Sequence, residues 1–214
     1  MSAIVYQHSF DAKRRLAELG VAPEAIINAI NAGRAARLSC TENDPPFIHG
    51  TEAWRFVVRT LREELLPRGW RKSDQGNYSL ICNDVRKFNI VVATGDSLVR
   101  TIPGSPKTKS LKGLYTEGAI VRNNFQQDDL FPELLGQELR EIACLLIHPV
   151  WILLIHITED ECRAELSMPN AFEDGTVVDW AERIFIPNDL VGDSAAQTSD
   201  DFDSEIDVPV KRKA

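Results

Sequence analysis

Between residues 10 and 66 the apolar positions recur three and four apart, the period of helices that bury one face. Leu16 and Leu19 close a first segment, and Gly20 supplies a natural stop. Pro23 falls where first-turn prolines fall, and Ile26, Ile27 and Ile30 form the apolar stripe of a second helix reaching about residue 39. Asn43-Asp44-Pro45-Pro46 breaks the pattern and reads as an extended loop. A third helix is predicted over 51–66, with Trp54, Val57, Val58, Leu61 and Leu65 on one side. After Pro67-Arg68-Gly69 the period drops to two, which predicts short strands at 70–72, 78–82 and 88–93. Turns at Asp74-Gln75-Gly76-Asn77 and Asn83-Asp84 separate them.

The second half opens with a loop at 103–113 dense in Pro, Gly, Ser and Lys, followed by a modest helix over 116–123. A longer helix is predicted over 132–147. An apolar hairpin follows, with arms 150–158 and 162–168 about Glu159-Asp160-Glu161, and at least one more strand lies within 177–186 after the Asp174-Gly175 turn. From residue 188 the hydrophobic pattern ends, and an acidic segment closing in Lys211-Arg212-Lys213 is expected to be disordered. The fold class is therefore α+β: N-terminal helices plus a mainly antiparallel sheet with a covering helix and a disordered C-terminal tail. The expected organisation is a helical segment at 1–50, an α+β core domain at 51–187 and the tail at 188–214. No repeat at a solenoid period is present.

Charge changes this picture, because it is unevenly distributed. Residues 1–50 balance, 51–125 carry 13 basic against 7 acidic groups, and 126–214 carry 6 against 20. The net charge of −8 thus conceals a basic middle. A locally positive field attracts a polyanion even on an acidic protein. Two groups of residues supply it. Arg55, Arg59 and Arg62 lie on one face of the third helix, and Lys107, Lys109 and Lys112 lie in the loop. Lysines give adaptable point charges and glycine-rich loops give free N–H groups, so both are candidate nucleic-acid contacts. The bland alternative is a solvated helix face and a soluble loop. The loop is no nucleoside-triphosphate cradle: Gly104 and Gly113 are too far apart, and no Gly-Lys-Ser/Thr follows.

The first two helices also resemble a helix–turn–helix corner, with Asn28, Asn31, Arg34 and Arg37 as a polar ridge on the second. Any amphipathic helix carries such a face. More specific in character is Gln127-Asp128-Asp129-Leu130-Phe131, which resembles the Gln-x-x-Leu-Phe peptide by which bacterial replication and repair proteins dock on the sliding clamp. That resemblance implies partner-binding roles for Gln127, Leu130 and Phe131. The alternative is that Asp128 and Asp129 cap the following helix, with Leu130 and Phe131 as its hydrophobic staple.

Enzymatic chemistry finds little support. The four histidines, His8, His49, His148 and His156, match no metal-binding spacing. The only acid-x-Lys step is Asp11-Ala12-Lys13, in a helix, which leaves Asp84, Asp96 and Glu117 as the remaining acidic candidates for a metal-dependent nuclease; turn formation accounts for the first two. Ser105 and Ser110 lack a nucleophile elbow. Catalytic residues, metal ligands and cofactors are therefore not expected. Cys40, Cys82, Cys144 and Cys162 form no Cys-x-x-Cys pair and read as reduced thiols, with Cys144 and Cys162 in apolar surroundings. No secretion signal is evident, and the apolar run 142–157 is interrupted by His148-Pro149 and too short for a membrane span. A cytoplasmic protein is expected.

The runs Ser39-Cys40-Thr41-Glu42-Asn43-Asp44-Pro45-Pro46, Val91-Val92-Ala93-Thr94-Gly95-Asp96 and Arg163-Ala164-Glu165-Leu166-Ser167 are similar to those of a kind of uncharacterised bacterial accessory-genome protein. The resemblance implies a mobile-element or phage-type setting and no activity. The leading functional expectation is a non-enzymatic accessory protein of DNA metabolism that contacts nucleic acid through a basic surface and docks a clamp. The alternatives are an acidic-surface regulatory factor or DNA mimic, and a metal-dependent nuclease.

Overall fold

The computed structural model of the chain describes residues 3–125 and 136–187. Seven strands form one mixed sheet: β1 (Ile4–Tyr6), β2 (Arg71–Ser73), β3 (Leu80–Asn83), β4 (Phe88–Thr94), β5 (Val150–Ile157), β6 (Cys162–Glu173) and β7 (Thr176–Phe185), in the spatial order β1-β7-β6-β5-β4-β3-β2. Five helices accompany them among the described residues: α1 (Ser9–Leu19), α2 (Pro23–Leu38), α3 (Ile48–Leu65), α4 (Leu114–Asn124) and α5 (Gln137–Leu145). The α+β class read from the sequence is the class that forms.

Helices cover both faces of the sheet, where the pattern suggested a single covering helix. On one face α1, α2 and α3 bury Leu16, Ile26, Ile30, Val57, Leu61 and Leu65 against Ile90, Val92, Leu153, Ile155 and Leu166. On the other, α4 and α5 bring Ala119, Ile120 and Ile142 onto Val91, Ala93, Ile152 and Leu154. Successive residues of β5 thus point into two cores, which is why Val150–Ile157 reads as a continuous apolar run rather than an alternation. The N-terminal helices share their core with the sheet through Ile26, Ile30 and Leu153.

Most strand pairs are antiparallel, but β4 runs parallel to β5, and β1 parallel to β7. The β4–β5 pairing follows from chain length. The chain between β4 and β5, which includes α4 and α5, is long enough for the crossover that a parallel pair requires. β1 was absent from the sequence pattern, since three residues carry no measurable period. The hairpin β6–β7 turns at Asp174 and Gly175, whose φ values of 48° and 77° suit the two-residue turn matching strand twist.

The helix expected over 132–147 is described as α5 alone. Residues 126–135, with Gln127, Leu130 and Phe131, and the expected tail at 188–214 lie outside the described residues. Among the described residues no helix is long and apolar enough to cross a membrane.

Candidate functional site

The sheet is open at one place. β3 accompanies β4 only as far as the pair Leu80–Val91, whereas β5 continues alongside to the pair Thr94–Ile155. The carboxyl end of β4 therefore has one unpaired edge. Other groups occupy part of it: the Trp54 indole N–H donates to the Val92 carbonyl at 3.0 Å, and the Lys109 N–H donates to the Thr94 carbonyl at 2.9 Å. These bonds fix α3 and the lysine loop on either side of the same strand end.

Between them lies a cleft of about 1170 Å³. Its floor is the carboxyl ends of β4 and β5, from Val91 to Gly95 and from Ile155 to Thr158. One wall carries Arg37 at the end of α2, Phe47, and Thr51 and Trp54 of α3. The facing wall carries Lys109, Ser110, Lys112 and the first turn of α4, with Asn77, Tyr78 and Ser79 from the β2–β3 connection. Crevices beyond the carboxyl ends of neighbouring parallel strands are where open α/β sheets hold ligands.

The lining has a marked chemical bias. Arg37, Lys109 and Lys112 are its ionised groups, His156 adds an imidazole, and no Asp or Glu lines it. Burial pushes the Lys112 ammonium below its ordinary value, and its Nζ donates to the Ser110 hydroxyl at 2.8 Å. The Arg37 Nε is buried and makes no hydrogen bond. The His156 ring faces two acceptors, Nδ1 lying 3.3 Å from the Gly95 carbonyl and Nε2 3.1 Å from the Glu161 carboxylate.

Four aromatic side chains line the same space: Phe47, Trp54, Tyr78 and Tyr115. Tyr78 and Tyr115 pack with ring centroids 5.8 Å apart, and the Tyr115 ring lies where Gly76 has no side chain. Burial pushes the Tyr78 phenol well above its ordinary value, with the Thr116 hydroxyl opposing it. Phe47 and Leu111 stand 71% and 77% exposed at the rim, so ligand-accessible apolar surface remains.

The six basic residues singled out from the sequence divide between different environments. Arg55, Arg59 and Arg62 line a separate hollow of about 400 Å³ between α3 and β2, and all three are engaged by carboxylates. Arg55 meets Glu52 at 2.7 Å and holds that carboxyl below its usual range, while Arg59 meets Glu63 at 2.8 Å. Arg62 grips Asp74 at 2.6 Å and also donates to the Leu80 carbonyl, so it braces β3. Trp54 lines both hollows and separates them. Lys109 and Lys112 face the cleft, whereas Lys107 lines neither hollow; its backbone is tied to Asp96.

The other candidates fall elsewhere. α2 buries Ala25, Ile26, Ile27, Ala29, Ile30, Gly33 and Ala36, and its Asn28 is bonded to Glu64 of α3. Asp84 pairs with Arg71 and His148, and Asp96 accepts from the Leu98 and Lys107 N–H groups to close its loop. Among the described residues no group of His, Cys, Asp or Glu could hold a metal ion. The four cysteines are free, and Cys144, expected in apolar surroundings, is exposed.

Sequence reasoning placed Arg37 on a helix–turn–helix ridge rather than beside Lys109 and Lys112, and it missed the aromatic wall. The helical period puts Trp54 in the core stripe, and nothing local relates Phe47 to Tyr115, 68 positions away. Comparison with protein-family models, with curated proteins and with solved structures gives no match.

Proposed function

We propose that the protein is a non-enzymatic nucleic-acid-binding accessory protein of DNA metabolism that draws a single-stranded segment into the cleft at the carboxyl ends of β4 and β5. The observation that carries this reading is the lining: Arg37, Lys109 and Lys112 without a lining carboxylate, beside Phe47, Trp54, Tyr78 and Tyr115. Unneutralised cations attract a phosphate backbone, and aromatic faces stack on unpaired bases at about 1–3 kcal/mol each. A duplex hides its base faces, so the combination favours single strands. The arginine face of α3 suits this role less, since Glu52, Glu63 and Asp74 already neutralise it.

Fluorescence anisotropy with a labelled single strand and its duplex tests the reading. The single strand is expected to bind more tightly, to weaken steeply with salt, and to lose at least about tenfold in affinity on Lys109→Ala with Lys112→Ala. Absence of binding by either nucleic acid at low salt overturns it.

A further inference from the structure

A strand held only by a flat basic surface would need no recess, yet this protein has a cleft between α3 and the lysine loop. Its volume of about 1170 Å³ lies just above the roughly 300–1,000 Å³ typical of small-ligand pockets. That is ample room for a nucleotide. Building on the nucleic-acid reading, we propose that the cleft is a seat for a single nucleoside monophosphate unit, with its phosphate on the Lys109–Ser110–Lys112 wall and its base against Phe47 and Trp54.

Four features argue for that ligand. Lys109 and Lys112 are free of ion pairs among the described residues, and the Ser110 hydroxyl lies between them in sequence, 2.8 Å from the Lys112 Nζ. A phosphate would supply the anionic oxygens that this wall lacks, and the Leu114 and Tyr115 N–H groups at the start of α4, an eleven-residue helix without a side-chain cap, add donors there. Opposite, Phe47 stands exposed and Trp54 is held by its bond to Val92, which presents aromatic surface to a planar ring. Asn77, Ser79, Thr94 and Thr51 add amide and hydroxyl groups suited to sugar and base edges.

The same lining selects against a triphosphate. Triphosphates are usually handled with Mg²⁺, which is bound through carboxylates, and no Asp or Glu lines the cleft. The shared chemistry is a nucleoside monophosphate, and a free nucleotide and a strand end both present it.

Intrinsic fluorescence gives a direct test. Trp70, Trp151 and Trp180 are 6%, 4% and 1% exposed, so ligand-dependent quenching reports on Trp54. The folded full chain is titrated with AMP, adenosine, a 5′-phosphorylated oligothymidylate and the same oligomer without its phosphate. Saturable quenching by AMP, displaced by the phosphorylated oligomer, supports the seat and identifies a free nucleotide as a ligand. Quenching by the phosphorylated oligomer alone supports it as a seat for a strand end. In either case Lys109→Ala or Lys112→Ala raises the dissociation constant at least about tenfold, with circular dichroism checking that the variants fold. If adenosine binds as well as AMP, the phosphate assignment is wrong. If no nucleotide or oligomer quenches while a longer labelled strand still binds by anisotropy, this proposal fails and the broader nucleic-acid reading stands. If nothing binds by either method, both fall.

Discussion

Arg183 of β7 and Glu165 of β6 form an ion pair inside the protein, with Nη2 to Oε2 at 2.7 Å, Nε to Oε1 at 2.9 Å, and side chains only 4% and 0% exposed. The pair lies on the sheet face that carries Ile152 and Leu154, where Ser167 donates to Glu165 at 2.8 Å. It anchors the loop after β4. The Arg100 N–H donates to Glu165 at 2.8 Å, Arg183 donates to the Gly104 carbonyl at 2.6 Å, and the Trp180 indole donates to the Pro106 carbonyl at 2.8 Å. The loop therefore covers part of this face, and it leads directly to Lys109.

Removing one partner leaves the other charge buried and unpaired. Arg183→Met is expected to destabilise the fold by about 3–5 kcal/mol, read from urea unfolding midpoints. Glu165→Gln should cost a comparable amount, because it strands the Arg183 charge and turns an NH2 donor towards the N–H and O–H groups that Glu165 accepts from. A drop below about 1 kcal/mol for Arg183→Met would show that the loop is held by other interactions.

Asn123 is a second buried polar anchor. Its amide donates to the Val150 carbonyl at 2.9 Å and the Pro169 carbonyl at 3.2 Å, and its carbonyl accepts from the Val150 N–H at 2.8 Å. It thereby ties the end of α4 to the start of β5 and to the irregular stretch of β6. Asn123→Ala strands these groups and should lower stability by about 1–3 kcal/mol, visible as a fall in Tm.

The two basic groups should behave differently in salt titrations of single-strand binding. Replacing Lys109 and Lys112 by Ala should reduce the slope of log affinity against log salt by about 0.7, for the one phosphate that they hold together. Arg55→Ala and Arg59→Ala should leave the slope nearly unchanged, because Glu52 and Glu63 already occupy those guanidinium groups. Equal effects at all four positions would argue for a diffuse basic surface rather than the cleft.

The thiols offer a pH test. Burial pushes the Cys162 thiol up from 9.0 to about 11, with Arg34 opposing, and raises Cys82 as well, while Cys144 is exposed. At pH 8 Cys144 should react rapidly with a disulfide reagent, half-buried Cys162 more slowly, and buried Cys82 only on unfolding. Because folding favours the neutral thiol of Cys162, its contribution is complete below pH 9.0 and is lost as pH rises towards about 11. Cys162→Ala should flatten that part of the stability profile. Folded-state labelling of Cys162 as fast as Cys144 would contradict its partial burial.

Much of the fold was legible because local physics determines it. The Gly20 stop, Pro23 at a helix start, the Asp174-Gly175 turn and the apolar run of β5 all act through neighbours in sequence. The same local reading found Lys109 and Lys112 but could not rank them above Arg55, Arg59 and Arg62. The sequence alone determined the α+β class, most helices and strands, and the concentration of positive charge in the middle of the chain. Tertiary structure decided which charges remain available, since Asp74 reaches Arg62 only once β2 and α3 are packed together. It also decided that β4 outruns β3 beside a parallel β5, which opens the cleft. Those outcomes depend on pairing and packing between distant segments, and no local pattern records them.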